Sequence, residues 1–149
     1  MLPSSQIRGD IMRRWRGFTL IELMIVVLTA AVLMAIAYPS YTKYVVRGHV
    51  AAGQAYLMDA AQREQQYLLD NRDYADTGTI TTIDPPQETV LTDYTITADT
   101  TTCAPRPCFV LTAAPLPGGL VAQNGGTYNQ SLTITSTGKK SSSGSPKLW

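Results

Sequence analysis

The sequence predicts an α+β fold, with a long N-terminal α-helix packed against a small antiparallel β-sheet. Three observations carry this expectation. Residues 18–38 are 21 nearly all apolar residues, interrupted by one acid, Glu22. Downstream, apolar residues recur at three- and four-residue steps, the helical period. The remainder is rich in threonine, with sixteen between Thr77 and Thr137, and β-branched residues favour strands.

The apolar run comes first. At about 1.5 Å per residue, a helix over it spans roughly 30 Å, the thickness of a bilayer core. Residues 1–17 carry Arg8, Arg13, Arg14 and Arg16 against Asp10, a net of +3, and residues 18–149 sum to −2. That bias predicts a cytoplasmic N-terminus and a C-terminal bulk outside. Three readings of the segment stand side by side. One is a secretory signal peptide, supported by Ala35-Ile36-Ala37 and opposed by the length of the run and by Glu22. The second is a plain single-span anchor with Glu22 snorkelling to the headgroups. The third accounts for Glu22 directly. A carboxylate in a membrane costs a few kcal/mol and is normally paired. A cut between Gly17 and Phe18 would leave a free amine one helical turn from Glu22. A neighbouring subunit's amine would serve as well, and such a pair specifies register more than stability.

Pro39 marks a kink or flexible point just past the run. Tyr38, Tyr41 and Tyr44 read as an interfacial aromatic belt. Val46, Val50, Gly53, Leu57, Ala60, Ala61, Gln65 and Leu68 then form the face expected to pack on the sheet. Gln54, Asp59, Arg63 and Glu64 are expected away from it. Gly48 and Gly53 weaken the helix locally, and it is expected to end near Asn71. His49 has no catalytic partner in sequence and reads as a surface or interface residue.

Residues 71–86 read as a loop, since Pro85-Pro86 cannot sit inside a central strand. Its acids lack a calcium-loop spacing. Residues 94–98, 109–113 and 132–135 are the strand candidates. Gly118-Gly119 and Gly125-Gly126 break the chain between them. Thr137-Gly138-Lys139-Lys140 is a turn, with room for a short final strand after it. Cys103 and Cys108 lie between the first two strands. In an oxidising compartment they read as a disulfide clasping that loop, with free thiols as the alternative. The spacing is not that of a redox Cys-x-x-Cys.

No zinc site can be assembled from two cysteines and His49 alone. No phosphate loop or hydrolase motif is present in the sequence. The expectation is a protein that is not an enzyme and uses no metal or cofactor.

A short basic leader ending in Gly17, followed by Phe18-Thr19-Leu20-Ile21-Glu22-Leu23, resembles the class III signal of type IV pilins and pseudopilins. Tyr38-Pro39-Ser40-Tyr41-Thr42-Lys43-Tyr44 is similar to the segment that follows the apolar run in many of these proteins. The resemblance implies the pilin fold. It also implies a prepilin peptidase that cuts after Gly17 and methylates Phe18, and a helix held in the inner membrane until an assembly platform draws it into a filament. The organisation expected is a cleaved leader over residues 1–17, a helix over 18–71 and a β-rich head over 72–149. Two departures are visible. The run between Phe18 and Tyr38 has no glycine, and the C-terminal disulfide of many type IV pilins is absent. Asn129-Gln130-Ser131-Leu132-Thr133-Ile134 and the terminal Leu148-Trp149 resemble the end of one group of minor pilins without its cysteines.

The function implied is a structural subunit, a minor pilin, of a pilus serving adhesion, twitching motility or DNA uptake. Its partners would be other pilin subunits, the peptidase and the platform. A pseudopilin of type II secretion is one alternative. A DNA-receptor pilin is another, needing a basic stripe from Arg106, Lys139, Lys140 and Lys147 on a head whose net charge is slightly acidic.

Overall fold

The computed structural model describes residues 17–144 and 147–149. The leader arginines and residues 145–146 lie outside the described residues. The chain forms two units, Met1–Ala37 and Tyr38–Trp149. Helix α1, Leu20–Asn71, carries the apolar run through the first unit and continues into the second. Its apolar part is long and apolar enough to cross a membrane, by length and composition. Every described side chain of the first unit is exposed.

The helix begins at Leu20, two residues later than the sequence suggested. Thr19 is the reason: its Oγ1 accepts the Glu22 N–H at 3.2 Å and its carbonyl accepts the Leu23 N–H at 3.2 Å. This is an N-cap, and it places Glu22 in the first turn, where the helix dipole favours an anion. The helix runs on through Pro39, and Thr42 Oγ1 donates to the Pro39 carbonyl at 3.1 Å.

In the second unit the sheet has the order β1-β2-β3-β4, all antiparallel neighbours: Tyr94–Asp99, Val110–Pro115, Leu132–Thr135 and Lys140–Ser142. One face of α1 packs on it through Val46, Val50, Gly53, Leu57, Ala60 and Glu64, spaced by three or four. The sheet answers with Tyr94, Ile96, Leu111, Ala113, Leu132 and Ile134, alternate positions of three strands. Gly53 is needed for this approach, because a Cβ there would lie 3.0 Å from the Tyr94 ring. Leu148 and Trp149 pack against the same core, and Gln54 Nε2 donates to the Leu148 carbonyl at 2.7 Å.

Two expectations for this face are corrected. Gln65 is exposed, and Glu64 is fully buried. Glu64 is kept inside by the chain beyond the helix, whose Ala75 N–H donates to its Oε2 at 2.8 Å.

The stretch expected as a loop holds a short helix, α2 (Thr77–Ile83), and a second, α3 (Glu88–Asp93), follows just after Pro85-Pro86. Asp76 caps α2 by accepting the Thr79 N–H at 2.7 Å. Thr77 Oγ1 accepts the Ala98 N–H at 2.8 Å and donates to the Ala98 carbonyl at 3.1 Å. One hydroxyl thus covers part of the open edge of β1. Between β2 and β3 the glycine breaks flank a short helix, α4 (Leu120–Asn124), and a 3-10 turn, Gly126–Tyr128.

Candidate functional site

Two regions carry the residues singled out by sequence. The first lies at the start of α1. Gly17, Phe18, Thr19 and Glu22 line one hollow. Phe18 is 80% exposed and precedes the helix, so the Gly17–Phe18 bond lies outside the helix in exposed backbone. Glu22 makes its one described contact through its own N–H, to Thr19. Tyr38, Tyr41 and Tyr44 are exposed.

The second region is one end of the sheet. Cys103 and Cys108 are joined, with Cα atoms 5.9 Å apart, and they close the connection between β1 and β2. Because Val110 pairs with Thr135, and Ser136 N donates to the Phe109 carbonyl at 3.0 Å, this loop and the β3–β4 turn share an end of the sheet. Arg106 and Lys139 are therefore brought to the same end, with Lys140 opening β4 beside them. Lys140 Nζ stands 5.0 Å over the Trp149 ring and 3.1 Å from Met58 Sδ, a cation–π arrangement that leaves its charge uncompensated. Lys147 is not part of the group: its ammonium donates at 2.9 Å to the carbonyl of Ser142, at the other end of β4.

The charge of the unit is segregated. Residues 38–99 hold nine acids and four bases, whereas residues 100–149 hold four bases and no acid. The slightly negative total hides a cationic half. Among the described residues the single ion pair is His49 with Asp93, so none of the described lysines and arginines lies within ion-pair distance of a carboxylate. The acid nearest the loop in sequence, Asp99, is bound by that loop's own threonines. It accepts the Thr102 hydroxyl, the Thr101 N–H at 2.8 Å and the Thr102 N–H at 3.0 Å. Those bonds, the Thr102 hydroxyl foremost, hold its carboxyl far below the usual range. Arg106 donates to the Thr101 carbonyl of the same loop.

Two side-chain contacts escaped the sequence reading. His49 has a partner, Asp93, which is 1% exposed and also accepts the Val121 N–H at 3.2 Å. This pair ties α1 to the α3–β1 junction and α4. Glu64 makes the other. Burial pushes its carboxyl up to about 6, opposed by the Ala75 N–H and helped by Asp76. No local motif announced either contact, because both partners are distant in sequence.

The comparisons with known proteins agree with this anatomy. Residues 12–38 match the prokaryotic N-terminal methylation motif. Residues 39–129 match the model described as "Type IV minor pilin ComP, DNA uptake sequence receptor", and the chain belongs to that family. It is 40% identical over 63 residues to the type IV wide pilus major component PilA4 of Thermus thermophilus, covering 42% of this chain and 48% of that protein. It is 39% identical over 61 residues to the type IV major fimbrial protein FimA of Dichelobacter nodosus, covering 41% and 39%. The chain thus spans less than half the length of these curated relatives. No solved structure matches it.

Proposed function

We propose that the protein is a type IV pilus subunit that acts as a DNA receptor, presenting the cationic end of its sheet to the phosphate backbone. The observation that carries this is the gathering of Arg106, Lys139 and Lys140 at one end of a sheet whose chain, after Asp99, has no acid. Phosphate contacts dominate affinity for DNA, and unpaired lysines and arginines are what they require. The family description supports the same reading.

The route to the filament follows from the first region. A prepilin peptidase cuts after Gly17 and methylates Phe18. Residues 18–38 hold the subunit in the inner membrane, N-terminus cytoplasmic and head periplasmic. Thr19 presents Glu22 in the first helical turn, so its carboxylate lies one turn from the new amine. In the filament Glu22 meets the Phe18 amine of a neighbour, and the pair fixes the stagger. Pro39, lacking an N–H, supplies a point of weakness where the helix can give. The assembly platform and other pilin subunits are the partners. The role is assembly and binding, with no catalysis.

The test is anisotropy of a labelled 20-base-pair duplex against the full chain in detergent, across a salt series. Contacts from these three residues contribute about −2.7 to the slope of log K against log salt. Replacing Arg106, Lys139 and Lys140 together with Glu should abolish binding. Salt-independent binding, or binding by the triple variant equal to wild type, would refute the proposal.

A further inference from the structure

We infer that Arg72 completes a phosphate seat together with Arg106, in the hollow between the end of α1 and the disulfide-closed loop. This rests on the DNA reading above and adds a residue from a different part of the chain. Arg72, Asp73, Thr100, Thr101, Arg106 and Pro107 line that hollow. Two guanidinium-bearing residues therefore face one concavity, and neither is paired with a carboxylate. Arg106 is braced by its bond to the Thr101 carbonyl and keeps further N–H donors. Arg72 is exposed, and among the described residues its guanidinium has no hydrogen-bond partner.

The acids nearby accept hydrogen bonds from neutral groups of their own loops. Asp73 Oδ1 accepts the Tyr74 N–H at 2.9 Å. Asp99 is held by Thr101 and Thr102. The hollow thus sets two guanidinium groups against the one carboxylate of Asp73, a net positive lining whose free N–H donors a phosphodiester can satisfy with paired N–H···O bonds.

The backbone gives a second reason. Arg72 closes α1 with its N–H on the Leu68 carbonyl at 2.8 Å and has φ of 61°. Glycine or asparagine takes that left-handed position with less strain. The arginine's charge suits the C-terminus of α1 while its φ does not, and the backbone there sets the residue on the wall of the hollow.

The distance suits DNA. Lys140 sits beside Met58 and Arg72 follows the last turn of the same helix. Their helical separation corresponds to about 21 Å, or roughly six base pairs at 3.4 Å each. One strand of a duplex can span both.

The experiment is Arg72→Asn in the full chain, with the same duplex, salt series and a melting curve. The expected result is a roughly fivefold loss of affinity, the upper end for an exposed charge contact. The salt slope should become shallower by about 0.9, with an unchanged or higher melting temperature. Unchanged affinity and slope, with the wild type binding normally, would overturn the seat and leave the DNA reading standing. Loss of affinity with an unchanged slope, or with a lowered melting temperature, would also overturn it, since the arginine would then be structural. Absence of binding by the wild type would overturn the DNA reading and the seat with it.

Discussion

Replacing Glu64 with glutamine is predicted to stabilise the protein at neutral pH and to leave it unchanged in acid. Glu64 is fully buried among the core residues of α1, and one carboxylate oxygen, Oε2, takes the Ala75 N–H. The other, Oε1, has no partner among the described residues. Desolvation accordingly raises its carboxyl from 4.5 to about 6. The folded state binds a proton more tightly than the unfolded state. Stability from this group is therefore complete below about pH 4.5 and is lost as pH rises through about 6. The difference of about 1.5 units corresponds to roughly 2 kcal/mol. Glutamine keeps an acceptor for Ala75 N–H and mimics the protonated acid, so it should hold that 2 kcal/mol at every pH. For a unit of the size of Tyr38–Trp149, an unfolding entropy near 2.1 cal/mol/K per residue converts this to roughly 8 °C. Melting of both proteins in detergent, followed by near-ultraviolet circular dichroism at pH 4 and pH 7.5, gives the comparison. A gain of equal size at both pH values, or a loss at pH 7.5, would refute the reasoning.

Four further changes test the packing. Asp93→Ala leaves His49 and the Val121 N–H without their acceptor, and chemical unfolding should show a loss of about 3 kcal/mol. Tyr94→Phe removes a buried hydroxyl that has no partner among the described residues, so the melting temperature should rise by the equivalent of about 1 kcal/mol. Gly53→Ala sets a methyl 3.0 Å from the Tyr94 ring. Its helix-propensity gain of about 1 kcal/mol is outweighed by overpacking of about 1–3 kcal/mol, giving a net loss by denaturant titration. Cys103→Ser with Cys108→Ser opens a loop of separation five, which the chain-entropy relation converts to about 2 kcal/mol of stability lost, read as a lower denaturant midpoint.

The long helix, its buried stripe and the strands were legible because their signals are local and periodic. Val46, Val50, Gly53, Leu57 and Ala60 announce one face at helical spacing, and Leu132 and Ile134 announce the other at spacing two. Helices α2 and α3 were hidden. Residues 77–83 are mostly threonine, a poor helix former, and they stand because Asp76 caps them and Thr77 is bonded to β1. Glu64 was misplaced because helical period alone cannot foresee that a distant N–H will hold an acid inside. The start of α1 moved because Thr19 caps it, a signal that Thr19-Leu20-Ile21-Glu22 does contain. The candidate DNA surface was half legible. Arg106, Lys139 and Lys140 were nameable, but net charge averaged their cationic half with an acidic one. Arg72 could not be joined to them without the fold.

The most direct test of the account is the intact mass of this protein recovered from sheared pili. The account predicts a chain that begins at Phe18, carries one added methyl group, and is absent from pili when Glu22 is replaced by alanine. A chain beginning at Met1 or at Tyr38, or a Glu22→Ala subunit incorporated as well as wild type, would contradict it.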